Sequence, residues 1–191
     1  IQPALLRQHV RAGSKSDTYA LAAWKIHVSL LAMEQPVSKY QAGTVNHEFV
    51  NDLTRLSYLD KGPVLVRDYL RKSGIHFVLE PHLPHTHLDG AAFELPNGEP
   101  VIALTLRHDR LDNFWFTLCH ELSHVALHFD GEDATIFFDD LDQTEIDTCE
   151  NDADRWAAEA LLPADLWSSF IADGIPSARK ILDFAAKLRI S

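Results

Sequence analysis

Residues 113–129 read NFWFTLCHELSHVALHF, and inside them stands His120-Glu121-Leu122-Ser123-His124. On an α-helix, residues four apart lie on one face one turn apart, so the two imidazoles can share one metal ion. Glu121 is turned about 100° from His120, still within reach of a water beside that ion. The three side chains divide the work of amide hydrolysis. Neutral imidazoles hold the ion, while the carboxylate takes a proton from the attacking water and passes it to the leaving amine. The charge that develops on the carbonyl oxygen is stabilised by the ion. The stretch is also apolar around most of its circumference. A core helix has little reason to carry a carboxylate beside two imidazoles unless something satisfies them. The competing reading is a metal-free helix with two hydrogen-bonded core histidines.

A tetrahedral catalytic site needs three protein ligands and one open position. Residues 149–163, CENDADRWAAEALLP, offer the third. Helical spacing places Ala153, Ala157, Ala160 and Leu161 on one face, small enough for close approach to the motif helix. Glu150 lies at one end of that face and Asp154 one turn on. Either can be the ligand, and Asp154 can instead orient an imidazole N–H. Cys119 and Cys149 each precede a candidate ligand. Cys119 points away from His120 into an apolar helix, and Cys149 in place of Glu150 is the minor alternative.

Further out the pattern changes. IHFVLE (75–80), GAAFEL (90–95) and PVIALTL (100–106) are short β-type runs, and Asn97-Gly98 signals a hairpin between the last two. An edge near 90–106 could pair with an extended peptide. The other segments read as helices. The first spans about 3–35, with Asp17 or Ser16 as a cap, an apolar face of Tyr19, Ala22, Ala23, Ile26, Leu30 and Met33, and Pro36 as a stop. Two more lie in 47–73, the second opened by Pro63 and closed by Gly74. The motif helix begins at Asp109 or Asp112 and runs to about His128. The ligand-bearing helix covers about 145–162, with Thr144 and Asp147 as a capping pair. An amphipathic helix, PSARKILDFAAKLRI, comes last. Trp24, Trp115, Trp156 and Trp167 read as core or interhelix packing. His128 is read as a neighbour of the site rather than a ligand, and His82, His85 and His87 as exposed loop residues rather than a second metal site.

Of the 191 residues 46% are hydrophobic, enough for one globular core with a helical appendage. The net charge of −11 argues against non-specific DNA binding by these residues, since phosphate contacts want a basic patch. Between 130 and 154 there are 11 acidic residues and no Lys or Arg, read as a solvated stretch leading into an acidic helix start. Two cysteines make no disulfide framework, and no apolar run reaches membrane-spanning length; both fit a cytoplasmic protein.

Phe116-Thr117, His120, Glu121 and His124, followed by Glu150, Ala153, Asp154, Trp156, Ala157 and Pro163, resemble the two motifs of the ImmA/IrrE family of bacterial metallopeptidase domains. The resemblance covers about residues 60–190, including HLDGAAF (87–93), where Gly90 is expected to permit a turn. It implies Zn2+ held by His120, His124 and Glu150, with Glu121 as general base, and so favours Glu150 over Asp154. It also implies cleavage of a regulatory protein such as a repressor. The alternative it carries is a zinc-binding sensor or interaction domain of a transcriptional regulator or antitoxin, with a toxin as possible partner. DNA would be bound only through a helix-turn-helix domain upstream of Ile1, for which the chain's opening on Ile rather than Met leaves room.

The expected architecture is α+β: a small, mainly antiparallel sheet packed on zincin-like helices, with N-terminal helices before it. Residues 1–45 are expected to form an N-terminal helical segment and 46–191 the zinc metallopeptidase-like domain.

Overall fold

The computed structural model describes residues 5–8, 17–84, 86, 88–129, 143–172 and 174–190, with backbone alone at 5–8 and 143–147. Four strands form one mixed sheet: β1 (Leu5–Gln8), β2 (His76–Leu79), β3 (Leu88–Glu94) and β4 (Pro100–Leu104), in the order β1-β3-β4-β2. β1–β3 and β3–β4 are antiparallel and β2–β4 is parallel. The helices are α1 (Thr18–Met33), α2 (His47–Thr54), α3 (Gly62–Lys72), α4 (Leu111–His124), α5 (Gln143–Leu161), α6 (Ala164–Ile171) and α7 (Ala178–Leu188). The chain is α+β, as the change of period along it requires.

The sheet is buried on both faces, and its strands alternate between two cores. Phe77, Ala92, Ile102 and Leu104 face one core with Leu53, Leu70, Phe114, Leu118, Leu122 and Ala157. Val78, Leu88, Ala91, Phe93, Val101 and Ala103 face the other with Leu21, Trp24, Val28 and Ala32 of α1. The successive residues point to opposite faces, so a strand apolar at every position serves two helical layers at once.

α1 buries a different stripe from the one expected. Leu21, Trp24, Val28 and Ala32 go inside, whereas Tyr19, Ile26, Leu30 and Met33 stay exposed. The helix is apolar almost all round, so two stripes fit the helical period and only the partner surface selects between them. The indole of Trp24 donates to the carbonyl of Pro81 at 3.0 Å, fixing the chosen face to the end of β2. Asp17 caps the helix through the amides of Tyr19 and Ala20. Residues 5–8 form a strand rather than the start of that helix: their backbone pairs with β3, and that tertiary pairing overrides local helical preference.

The hairpin forms at Asn97-Gly98, though not as a two-residue turn. Leu95 and Glu99 close a three-residue loop in which Gly98 alone takes positive φ, +80°. α3 starts with Gly62-Pro63 and ends before Gly74 at φ +81°, as read from sequence. Neither Asp109 nor Asp112 caps α4: Arg110 occupies the N-cap, and Asp112 in the first turn pairs with its guanidinium. α4 gives way to one π-helical turn, Val125–Phe129, immediately after His124. Such turns recur at functional sites. The Thr144/Asp147 capping pair and the acidic stretch 130–142 lie outside the described side chains. Among the described residues, no helix is long and apolar enough to cross a membrane.

Candidate metal centre

α4 and α5 pack side by side, and their contact builds the centre. Ala153, Ala157 and Ala160 are all buried there. With no side chain beyond Cβ at these positions, the two helix axes can approach closely enough for a short carboxylate arm to cross between them. From α4 come His120 and His124, at 0% and 1% exposure, and from α5 comes Glu150, 28% exposed and so open on one side. His120 Nε2 lies 3.1 Å from His124 Nε2 and 3.2 Å from Glu150 Oε2. His124 Nε2 lies 3.5 Å from Glu150 Oε1. The three donor groups lie within 4.8 Å of one another, a group that could hold a metal ion.

The chemistry of these donors fits a cation. Asp154 Oδ1 is 2.8 Å from His120 Nδ1 and, as a carboxylate, accepts a hydrogen bond from its N–H. That leaves the lone pair of His120 on Nε2, aimed at a second imidazole nitrogen and a carboxylate oxygen. Electron-pair donors gathered this closely repel unless a cation or a proton sits among them. A tetrahedron with metal–ligand bonds of roughly 2.0–2.1 Å has edges of about 3.3–3.4 Å. The observed separations bracket that value.

Glu121 is fully buried beside the histidines, against the sheet. Its placement depends on Gly90, which lies within β3 and not in a turn as expected. A Cβ at Gly90 would stand 2.6 Å from Glu121 Oε1, 2.7 Å from Thr117 Cγ2 and 3.0 Å from Glu121 Cγ. Gly90 is thus needed for close approach, not for positive φ. The strand is anchored just there. Thr105 Oγ1 donates to the carbonyls of Leu88 and Asp89, and Arg107 pairs with Asp89 at 3.4 Å. The role of Gly90 was missed in the sequence because only the tertiary structure shows which helix crosses it. A Gly inside a strand run was the available signal.

The remaining candidates separate cleanly. The ring of His128, on the π turn, packs on that of His124 at 5.4 Å. Burial lowers its pKa, opposed by the carboxylates of Asp152 and Glu150. It stands outside the donor group. Cys119 is buried with its thiol pushed up to about 12 by desolvation, and both it and Cys149 stand outside the donor group. His82 is also outside that group, and His85 and His87 fall outside the described residues. Trp24, Trp115 and Trp156 are core residues as expected, whereas Trp167 on α6 is 40% exposed. Ser123 Oγ donates to the carbonyl of His120 at 2.6 Å, tightening the helix between the two histidines.

No curated protein matches the chain in sequence. The model of one family, that of peptidase family M78 with the description IrrE N-terminal-like domain, matches residues 71–191.

Proposed function

Because the chain belongs to the IrrE N-terminal-like peptidase family M78, we propose that it is a zinc-dependent endopeptidase that cuts a specific regulatory protein, such as a repressor. The observation that carries the reading is the convergence of His120, His124 and Glu150 within 4.8 Å, with His120 oriented by Asp154. Two imidazoles and a carboxylate at near-tetrahedral spacing suit zinc. When bound, the ion supplies Lewis acidity, acidifying a water and polarising a carbonyl. His120, His124 and Glu150 hold it, and the Asp154 carboxylate fixes the tautomer and ring angle of His120. Glu121 accepts the proton of the attacking water and returns it to the leaving nitrogen. Its burial between α4 and β3 keeps its carboxylate in one place for both transfers.

A protein substrate is supported by the peptidase family, and the compartment proposed for it is the cytoplasm. A second reading, a zinc-binding sensor or interaction domain of a regulator or antitoxin, draws support from the donor set itself, which is complete without Glu121. Glu121→Gln separates the two. On the peptidase reading the variant keeps stoichiometric zinc, measured by elemental analysis, yet yields no cleavage product from a co-expressed target repressor. Cleavage undiminished in this variant would remove Glu121 from the mechanism. Absence of zinc from native protein, with none taken up on reconstitution, would end both readings.

A further inference from the structure

β3 is an interior strand only because β1 pairs with it. Its other side is taken by β4 over Gly90–Glu94, and β1 covers Leu88–Ala92 from outside. Without β1, that run of β3 would be an open edge with its outward backbone groups unfilled, a template for any extended chain. This edge also borders the chemistry. Arg7 of β1 is the register partner of Gly90, the residue whose missing Cβ makes room for the Glu121 carboxylate. The far edge of the sheet differs. There, on β2, Gln35 Nε2 donates to the carbonyl of Phe77 at 3.1 Å, a side chain blunting the edge.

We infer that Leu5–Gln8 is a self-strand that closes the β3 edge beside Glu121, so that an extended peptide is admitted there only when β1 leaves. The inference rests on the peptidase reading for what the edge accepts. The pairing is suited to reversal. It spans four residues, with a register irregularity between Arg7 and Gln8 where Arg7 opposes Gly90 and Gln8 opposes Leu88. A strand of about five to six residues is usual, and a bulge removes part of the ladder, so β1 is held less firmly than β4. The occupant is also of the class it would exclude, an extended polypeptide bound through its backbone.

The probe is a fluorescent peptide with the sequence of residues 1–12, IQPALLRQHVRA. It is titrated in the Glu121→Gln background so that it cannot be cut. In Leu6→Pro/Arg7→Pro, two adjacent amide donors are removed, and since successive N–H groups point to opposite sides, one of them faced β3. The probe is expected to bind this variant at least tenfold more tightly than the parent. It should not bind Leu6→Cys/Ala91→Cys when a disulfide between these register partners holds β1 in place. Native hydrogen exchange supplies a second measurement on the unaltered chain. The β3 amides at 88–92 that face β1 should exchange well before those that face β4, and the disulfide should slow them. Equal probe binding to the released and parent proteins, or equal exchange on the two sides of β3, would show β1 to be a permanent strand and overturn the inference. Neither measurement involves zinc or cleavage, so failure here is distinct from failure of the peptidase reading.

Discussion

At the scale of single residues, two positions outside the HExxH pentad carry the most specific expectations. Alanine is ordinarily better than glycine in a strand. Gly90→Ala should nonetheless destabilise the protein by about 1–3 kcal/mol, because its Cβ meets Glu121 and Thr117 at under 3.0 Å. If Glu121 yields instead, cleavage should fall roughly a hundredfold with zinc retained, as a displacement of about 1 Å at a reacting group predicts. Urea unfolding of Gly90→Ala with and without Glu121→Ala decides the cause: the penalty should shrink when the carboxylate is gone. Asp154→Asn should weaken zinc affinity by about 10–100-fold in competition with a chelating dye, through loss of the charge that orients His120. An unchanged affinity would mean that α5 alone positions the ring. His120, Glu121 and His124 were legible in the sequence because a helix makes i,i+4 spacing a spatial statement. Glu150 and Asp154 were legible only as a pair. Their separation by a full turn permits either at the ion, and which one turns outward to Nδ1 depends on how α5 is rotated against α4.

Secondary-structure elements meet this chemistry at the α4–α5 contact. Ala157 is fully buried in it, whereas Ala158 points outward. Ala157→Leu should therefore force the helices apart and destabilise by about 1–3 kcal/mol, with a parallel loss of zinc affinity as Glu150 is withdrawn. Ala158→Leu should stay within about 0.5 kcal/mol. Equal effects of the two in urea unfolding would disprove the close packing of these helices. The small-residue face of α5 was readable because alanines at helical spacing leave one interpretation. α1 was not, since its two apolar stripes differ little and the choice of Leu21, Trp24, Val28 and Ala32 was made by the sheet beneath. The N-cap of α4 escaped for a related reason. Asp112 is paired with Arg110, so the expected capping carboxylate sits two residues past the N-cap, in the first turn of the helix.

For the whole molecule, the candidate metal centre lies between α4 and α5, two helices joined in sequence by residues 125–142. An ion that binds the folded state and not the unfolded one stabilises by about 4 kcal/mol at a thousandfold excess over its dissociation constant. At about 2–4 °C per kcal/mol for a chain of this size, chelation should lower the melting temperature by roughly 8–16 °C. His124→Ala should melt at the same temperature with or without chelator. A wild-type melting temperature indifferent to chelation would show that the two helices need no ion to stay together. By itself the sequence determined the type of most elements, though not of the strand at residues 5–8 or of α6, together with the NG hairpin, the two motif helices and the histidine pair, because each of these follows from local periodicity or turn chemistry. Only the tertiary structure decided that α1 covers the second face of the sheet, that residues 5–8 extend β3, and that Gly90 admits the Glu121 carboxylate. These are contacts between segments far apart in the chain, and a side chain's periodicity says that it will be buried but not against what.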